Sequence, residues 1–357
     1  MAYPDTFEGF AVHDPSKWSE VKKIQFTPRP FQEDDVDIKI EACGICSSDI
    51  HTISGGWGQP KLPSIVGHEI VGTVVRVGSK VDNIKVGDTV GMGAMCWADL
   101  TCDVCKSKNE NYCPNWIDTY DDAYPDGSRT YGGYSNYARC NKEFAFKIPK
   151  GLSVEGVAPM LCAGITTYSP LKRNNIGPGK KVGVVGIGGL GHFALQFAKA
   201  LGAEVYAISR NDKKKADALK LGADYFIETE KEGWNLPYKY KFDLIISTAN
   251  SSQNFDLDAY VSTLNIGAKF VSVGLPEDKM EMNAGSFIKN GCYFGSSHLG
   301  NREEMKEMLE LAAEKGIEAW YEPISISQEG IKNGLEKLHR NDVKYRFTLT
   351  NYGKQFE

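Results

Sequence analysis

Two patterns of apolar and polar positions divide the chain. Over about the first 150 residues, short apolar runs are broken by Gly and Pro. "VDIKIEACG" alternates as a half-buried strand does, and "EIVGTVVRVG" is a β-branched run ending in glycine. From about residue 180, apolar strands alternate with helical stretches. The strand candidates are "KVGVVGIG", "AEVYAIS", "ADYFIET", "FDLIISTA", "GAKFVSVG" and "GCYFGSSH". Between the first two lies "HFALQFAKALG", an apolar helix closed by Gly202, a favoured C-terminal cap. Such alternation predicts a parallel sheet covered by helices. Beyond about residue 298, "REEMKEMLELAAEKG" and "QEGIKNGLEKLHR" read as amphipathic helices and "KYRFTLT" as a closing strand. The pattern alone does not assign this tail to either half.

A length of 357 residues suits two domains, and 41% hydrophobic with 24% charged residues is ordinary for a soluble protein. A net charge of -5 gives no reason to expect nucleic acid or an anionic membrane as partner. "MAYPDTFEGF" lacks the basic start and apolar run of a signal peptide. No apolar stretch approaches the roughly 20 residues that span a bilayer. Nine cysteines, an odd number, favour reduced thiols and metal ligands over a disulfide framework. A cytoplasmic protein is the expectation.

"VVGIGGLG" sets Gly186, Gly188 and Gly191 in G-x-G-x-x-G spacing, with Gly189 and Leu190 between, after a strand and before a helix. The first glycine allows the turn, the second lets backbone approach a pyrophosphate, and the third permits close helix–strand packing. The helix start then faces the anion. The motif alone is weak; in this strand–helix context it predicts dinucleotide binding. An acid at the end of the second strand would mark NAD. Here stands "SRNDKKK", with Ser209, Arg210 and Lys214. Cations in a first helical turn oppose the helix dipole unless an anion sits there. A 2'-phosphate is such an anion, so NADP is expected. The alternative is a solvated basic face, with Asp212 capping the helix or contacting a ribose.

Three further stretches carry metal-ligand chemistry: "CGICSSDIH" with Cys46, Ser48, Asp49 and His51; "GHEIVGTVVRVG" with His68 and Glu69; and "PMLCAGITTY" with Cys162. Two thiolates and an imidazole suit zinc and leave one position open, as a catalytic site requires. Asp49 is placed to orient the imidazole through its second nitrogen.

Residues 67–81 fit G-H-E-x2-G-x5-G-x2-V, and together with "CGICSSDIH", the cysteine cluster and "GIGGLG" they resemble the zinc-containing medium-chain alcohol dehydrogenases. "ISR" before lysines, "DTYDDAYPDG" before "GGYSNYA", and "VKYRFTLT" resemble the NADP-dependent cinnamyl-alcohol-dehydrogenase branch of yeasts and plants. The resemblance implies an α/β protein in three segments. These are a GroES-like β-rich catalytic domain over 1–156, a doubly wound parallel-sheet (Rossmann) NADP-binding domain over 157–294, and a return to the catalytic domain over 295–357. It implies catalytic zinc on Cys46, His68 and Cys162, with Glu69 as a transient ligand. Ser48 and His51 would form a proton relay, Thr166 and Arg346 would touch the cofactor, and the assembly would be a homodimer.

"CWADLTCDVCKSKNENYC" then gains meaning. The family's second zinc takes C-x2-C-x2-C-x7-C; here Cys102, Cys105 and Cys113 match, and Asp99 replaces the first cysteine. Asp99 is expected to ligate, since zinc accepts carboxylate oxygen and the set's charge is preserved. Cys96 folding back, or a metal-free lobe with reduced thiols, are the alternatives. Trp57, in "GGWGQP", either lines a substrate pocket or packs its loop. "DTYDDAYPDG" reads as a solvated acidic loop, and Cys43, Cys140, Cys292 and His192 as packed core residues.

The expected activity is NADP(H)-dependent interconversion of small-molecule aldehydes and primary alcohols with two Zn2+ per chain. A polyol or sugar dehydrogenase of the same fold, or a non-enzymatic NADPH-binding redox sensor, are the alternatives.

Overall fold

The structure, a computed structural model, describes residues 4–356. The chain forms two units: one from the chain up to Cys162 and again from Asn301, the other Ala163–Gly300.

The first unit contains β1 (Phe7–Val12), β2 (Val21–Phe26), β3 (Asp35–Ile45), β4 (Ile70–Val77), β5 (Thr89–Met92), β6 (Met95–Trp97), β7 (Ile117–Asp118), β8 (Tyr137–Asn141) and β9 (Phe146–Lys147). β3 pairs antiparallel with both β4 and β8. Its alternation predicts a half-buried strand, yet only Lys39 and Glu41 are exposed. A central strand is covered on both faces, so its polar residues need partners. Asp37 finds one in Arg139, 2.7 Å away. Phe7, Phe10, Ile38, Ile40 and Phe347 fill the core of this unit. Each such side chain contributes about 1.5–3 kcal/mol by leaving water.

The second unit has six strands: β10 (Lys181–Val185), β11 (Glu204–Ser209), β12 (Tyr225–Glu228), β13 (Phe242–Ser247), β14 (Leu264–Ser272) and β15 (Tyr293–Ser296). All six were legible as apolar runs. They form one parallel sheet in the order β12-β11-β10-β13-β14-β15. The sheet grows outward from β10 in both directions, so the chain reverses between β10 and β13. In a doubly wound sheet this switch point opens a ligand crevice at the carboxyl ends of the strands. The helix Gly191–Ala200 follows β10, and Gly202 ends it at φ +92.

Beyond Asn301 the helix Arg302–Lys315 starts in a capping box of Asn301 and Glu304 and stops at left-handed Gly316. β16 (Tyr321–Ser325), the helix Gln328–His339 and β17 (Arg346–Thr350) follow. β17 pairs antiparallel with β3, Phe347 opposite Ile45 and Leu349 opposite Cys43, so the tail completes the first unit's sheet. Among the described residues, no helix is long and apolar enough to cross a membrane.

Candidate active site

Cys46 follows the last residue of β3 and caps the helix Ser47–Ile53. His68 and Glu69 lead into β4, and Cys162 follows the turn Ala158–Leu161. These separate elements bring one ligand atom from each of Cys46, His68, Glu69 and Cys162 to within 4.8 Å of one another, all four residues buried. Nε2 of His68 and Oε2 of Glu69 are buried with no hydrogen-bond partner among the described residues. A buried polar atom without a partner is costly, so the set fits a cation that those atoms would ligate. Two sulfurs and an imidazole nitrogen are a zinc donor set.

The charges in this cluster shape one another. Burial works to lower the pKa of His68, but Cys46, Asp49 and Glu69 overcome it and push the imidazole up to about 9. Glu69 is pushed up to about 8 by burial, against the pull of Arg346. Hydrogen bonding with Cys162 holds the Cys46 thiol well below its usual value, and the same contact pushes Cys162 up.

Arg346, expected at the cofactor, has its guanidinium on Glu69, with Nη1 4.0 Å from the Cys46 sulfur. Asp49 is buried in the first turn of the helix Ser47–Ile53. Its carboxylate accepts from the Cys46 amide at 2.9 Å, the Gly67 amide at 3.1 Å and the Tyr134 hydroxyl at 3.1 Å. Asp49 therefore ties the backbone beside two ligands and acts on His68 through charge. Ser48 lies in the first turn of the helix Ser47–Ile53, its hydroxyl 3.6 Å from the Cys46 sulfur. His51, three residues on, shares that helix face. Trp57 is half exposed and stacks on His51, centroids 4.9 Å apart and planes at 16°.

The segment "DTYDDAYPDG" is more than a solvated loop. Tyr120 is buried and lies flat on His68, ring centroids 5.3 Å apart and planes at 7°. Asp122 accepts from the Asp118 amide at 3.0 Å, which folds the loop on itself. The acids concealed this contact; the aromatic residues Tyr120 and Tyr124, interleaved with them, were its only signal.

A second cluster joins Asp99, Cys102, Cys105 and Cys113, again with one ligand atom of each within 4.8 Å of the others. Oδ1 of Asp99 accepts from the amides of Thr101 at 2.9 Å and Cys102 at 3.0 Å. Asn115 donates to Oδ2 at 3.0 Å. These bonds, the Cys102 amide foremost, hold its carboxyl far below the usual range. Burial and the neighbouring thiols push Cys105 up. Three thiols and a carboxylate whose ligand atoms meet this closely also fit zinc. Cys96 stands apart. It accepts a hydrogen bond from the Tyr124 hydroxyl at 3.1 Å, and burial pushes its thiol up to about 12. The lobe is fastened at Glu110, which accepts from the Arg302 amide at 2.7 Å and its Nε at 3.0 Å.

In the second unit, a Cβ on Gly191 would lie 1.9 Å from the Gly186 carbonyl oxygen, so the helix packs this close only with glycine there. Gly188 faces open space, where backbone is free to meet an anion. Gly189 and Leu190 complete the loop. Ser209 ends β11, and Arg210 beyond it is exposed. Lys214 donates back to the Ile187 carbonyl at 2.7 Å. Burial and then the charge of Arg210 lower its pKa. Two cations thus share the space beside the glycine loop, as an anionic ligand requires. Asn211, not Asp212, caps the turn. Thr166 is buried on the helix Ala163–Arg173.

Two units of this construction, one carrying paired cysteine-rich metal clusters and the other a glycine loop on a doubly wound sheet, define a zinc-containing alcohol dehydrogenase. The chain belongs to that family: residues 32–150 match the alcohol dehydrogenase GroES-like domain and residues 189–314 the zinc-binding dehydrogenase domain. It is 43% identical over 358 residues to the NADP-dependent alcohol dehydrogenase 6 of Saccharomyces cerevisiae, covering 100% of this chain and 99% of that protein. A cinnamyl alcohol dehydrogenase of Sorghum bicolor shares the fold with a TM-score of 0.93 at 35% identity, covering 99% of both chains. A Helicobacter pylori cinnamyl alcohol dehydrogenase, solved with NADP(H), has a TM-score of 0.87 at 34% identity, covering 97% of this chain and 98% of that one.

Proposed function

We propose that this alcohol dehydrogenase uses NADP(H) and two zinc ions to interconvert aldehydes of cinnamyl, aromatic and aliphatic types with primary alcohols. The observation that carries this is the buried Cys46–His68–Cys162 cluster with its unpartnered imidazole nitrogen. The names of its relatives and the paired Arg210 and Lys214 support NADP. Zinc supplies a Lewis acid to the reacting oxygen, and NADP(H) supplies or accepts the hydride.

The chain's own residues do the remainder. Cys46, His68 and Cys162 hold the metal, and Glu69, restrained by Arg346, is near enough to replace a departing ligand. Ser48 and His51 move the alcohol proton along one face of a short helix toward water. Gly186, Gly188 and Gly191 admit the pyrophosphate, with Thr166 beside it, while Ser209, Arg210 and Lys214 take the 2'-phosphate. Asp99, Cys102, Cys105 and Cys113 hold the second zinc, which braces its lobe. Trp57, stacked on His51, borders the substrate.

A cytoplasmic homodimer is part of the same proposal. Its support is β15, an unpaired sheet edge, together with exposed Tyr293 and Ile288.

Initial rates on cinnamaldehyde, benzaldehyde, hexanal and a ketose, each with NADPH and with NADH, test the function. Reduction of the aldehydes with NADPH, abolished by a zinc chelator, is expected. Preference for the ketose would make the protein a polyol dehydrogenase. Cofactor binding without turnover would make it a sensor.

A further inference from the structure

We propose that Tyr120 is a positioning residue for the catalytic metal: its ring, flat against His68, sets the plane in which the imidazole meets the ion. The proposal rests on Cys46, His68 and Cys162 being the ligands.

A metal-binding histidine is normally oriented by a hydrogen bond at its other nitrogen, most often from a carboxylate. Asp49, which accepts from Cys46, Gly67 and Tyr134, acts on His68 from one side through its charge. A second constraint on the ring plane of His68 comes from a face. Tyr120 covers it at a centroid distance of 5.3 Å and an angle of 7°, within the range of favourable aromatic pairs. Both residues are buried, so water does not compete for that face.

Tyr120 is itself held firmly. The preceding residue, Thr119, donates its amide to the Ala94 carbonyl at 2.8 Å and its hydroxyl to the Gly93 carbonyl at 2.6 Å. β7 lies just before it and pairs with β6, and these two strands bracket the Asp99–Cys113 lobe. Burial and the nearby Asp49 carboxylate push the pKa of the Tyr120 phenol well up. Tyr120 and Asp49 thus form one support: the ring fixes the His68 plane, and the carboxylate fixes the backbone of Cys46 and Gly67. A brace that orders the lobe reaches the catalytic metal through the same segment.

The test compares Tyr120→Leu, Tyr120→Met and Tyr120→Phe in the full-length zinc enzyme and after cobalt replacement. The readouts are the rate of zinc release to a chromogenic chelator and the visible absorption of the cobalt protein. Cys162→Ser identifies which released zinc is the catalytic one. The Leu and Met variants lose the flat face and are expected to release that zinc about 10- to 100-fold faster, as on loss of an orienting partner. Their cobalt spectra should shift as well. Tyr120→Phe keeps the ring and should restore both properties. Met fills most of the space, so a collapsed Leu variant leaves the comparison intact. Unchanged release and an unchanged spectrum in either folded variant would overturn the proposal. If the unaltered enzyme held no zinc that Cys162→Ser removes, the ligand assignment would fail first, and this role with it.

Discussion

Arg346 and Glu69, 277 residues apart in the sequence, form an ion pair with both side chains buried. One comes from a strand of the returning tail, the other from the segment that carries His68. Removing one member of a buried pair leaves the other uncompensated, at a cost of about 3–5 kcal/mol. Arg346→Met is therefore expected to lower the melting temperature of the first unit markedly. Glu69→Gln, which keeps the shape and one hydrogen-bond acceptor, should cost less. Equal melting of Arg346→Met and the unaltered enzyme in a calorimeter would show that the pair contributes no net stability.

Metal analysis separates the ligand choices in the cysteine lobe. The unaltered enzyme should hold two zinc ions per chain, Asp99→Ala about one, and Cys96→Ser still two, since zinc closes its site with four ligands. Asp99→Ala should also melt earlier while its turnover at low temperature stays near normal. Loss of zinc from Cys96→Ser would transfer the fourth ligand to that sulfur.

The glycine loop yields a pair of opposite outcomes. Gly191→Ala puts a Cβ onto the Gly186 carbonyl and is expected to destabilise the second unit. Gly188→Ala meets no protein atom within 4 Å, so the fold should tolerate it while cofactor affinity falls. Calorimetry with and without NADPH distinguishes them. A Gly188→Ala enzyme that binds NADPH normally would move the pyrophosphate elsewhere.

Arg210→Ala removes a charge-assisted contact of about 1.5–3 kcal/mol. The KM for NADPH should then rise about 10- to 100-fold, with that for NADH little changed. An equal rise for both cofactors would argue against a 2'-phosphate at this position.

Tyr293→Lys and Ile288→Asp place charge on the exposed face beside β15. If that edge joins two copies, light scattering should show the dimer giving way to the monomer. A variant that keeps its mass would leave the dimer to another surface.

Much of this was legible because the signals were periodic or punctual. Six parallel strands stood out as apolar runs, and Gly202 marked a helix end, where the structure shows a left-handed backbone. Other features depend on contacts between distant segments, which local pattern does not encode. β3 alternates like a half-covered strand, but pairing on both sides buries Asp37 against Arg139. Asp49 has the spacing of an imidazole partner, but that spacing does not tell that it also gathers the Gly67 and Cys46 amides. Tyr120 was hidden among acids because its burial is created by His68, some fifty residues earlier. The helix Ala163–Arg173, with Pro170 inside it and Ala163–Leu171 all buried, offered no amphipathic stripe to read.

The pairing of β17 with β3 has a consequence for biogenesis. Ribosomes deliver the polypeptide from its N-terminus, so the entire Ala163–Gly300 unit emerges before the strand that finishes its neighbour. Until residues 346–350 appear, Glu69 has no guanidinium and the Cys43 edge of β3 lacks its mate. The nascent metal-binding half must wait, open along one side, while the nucleotide-binding half is already able to mature.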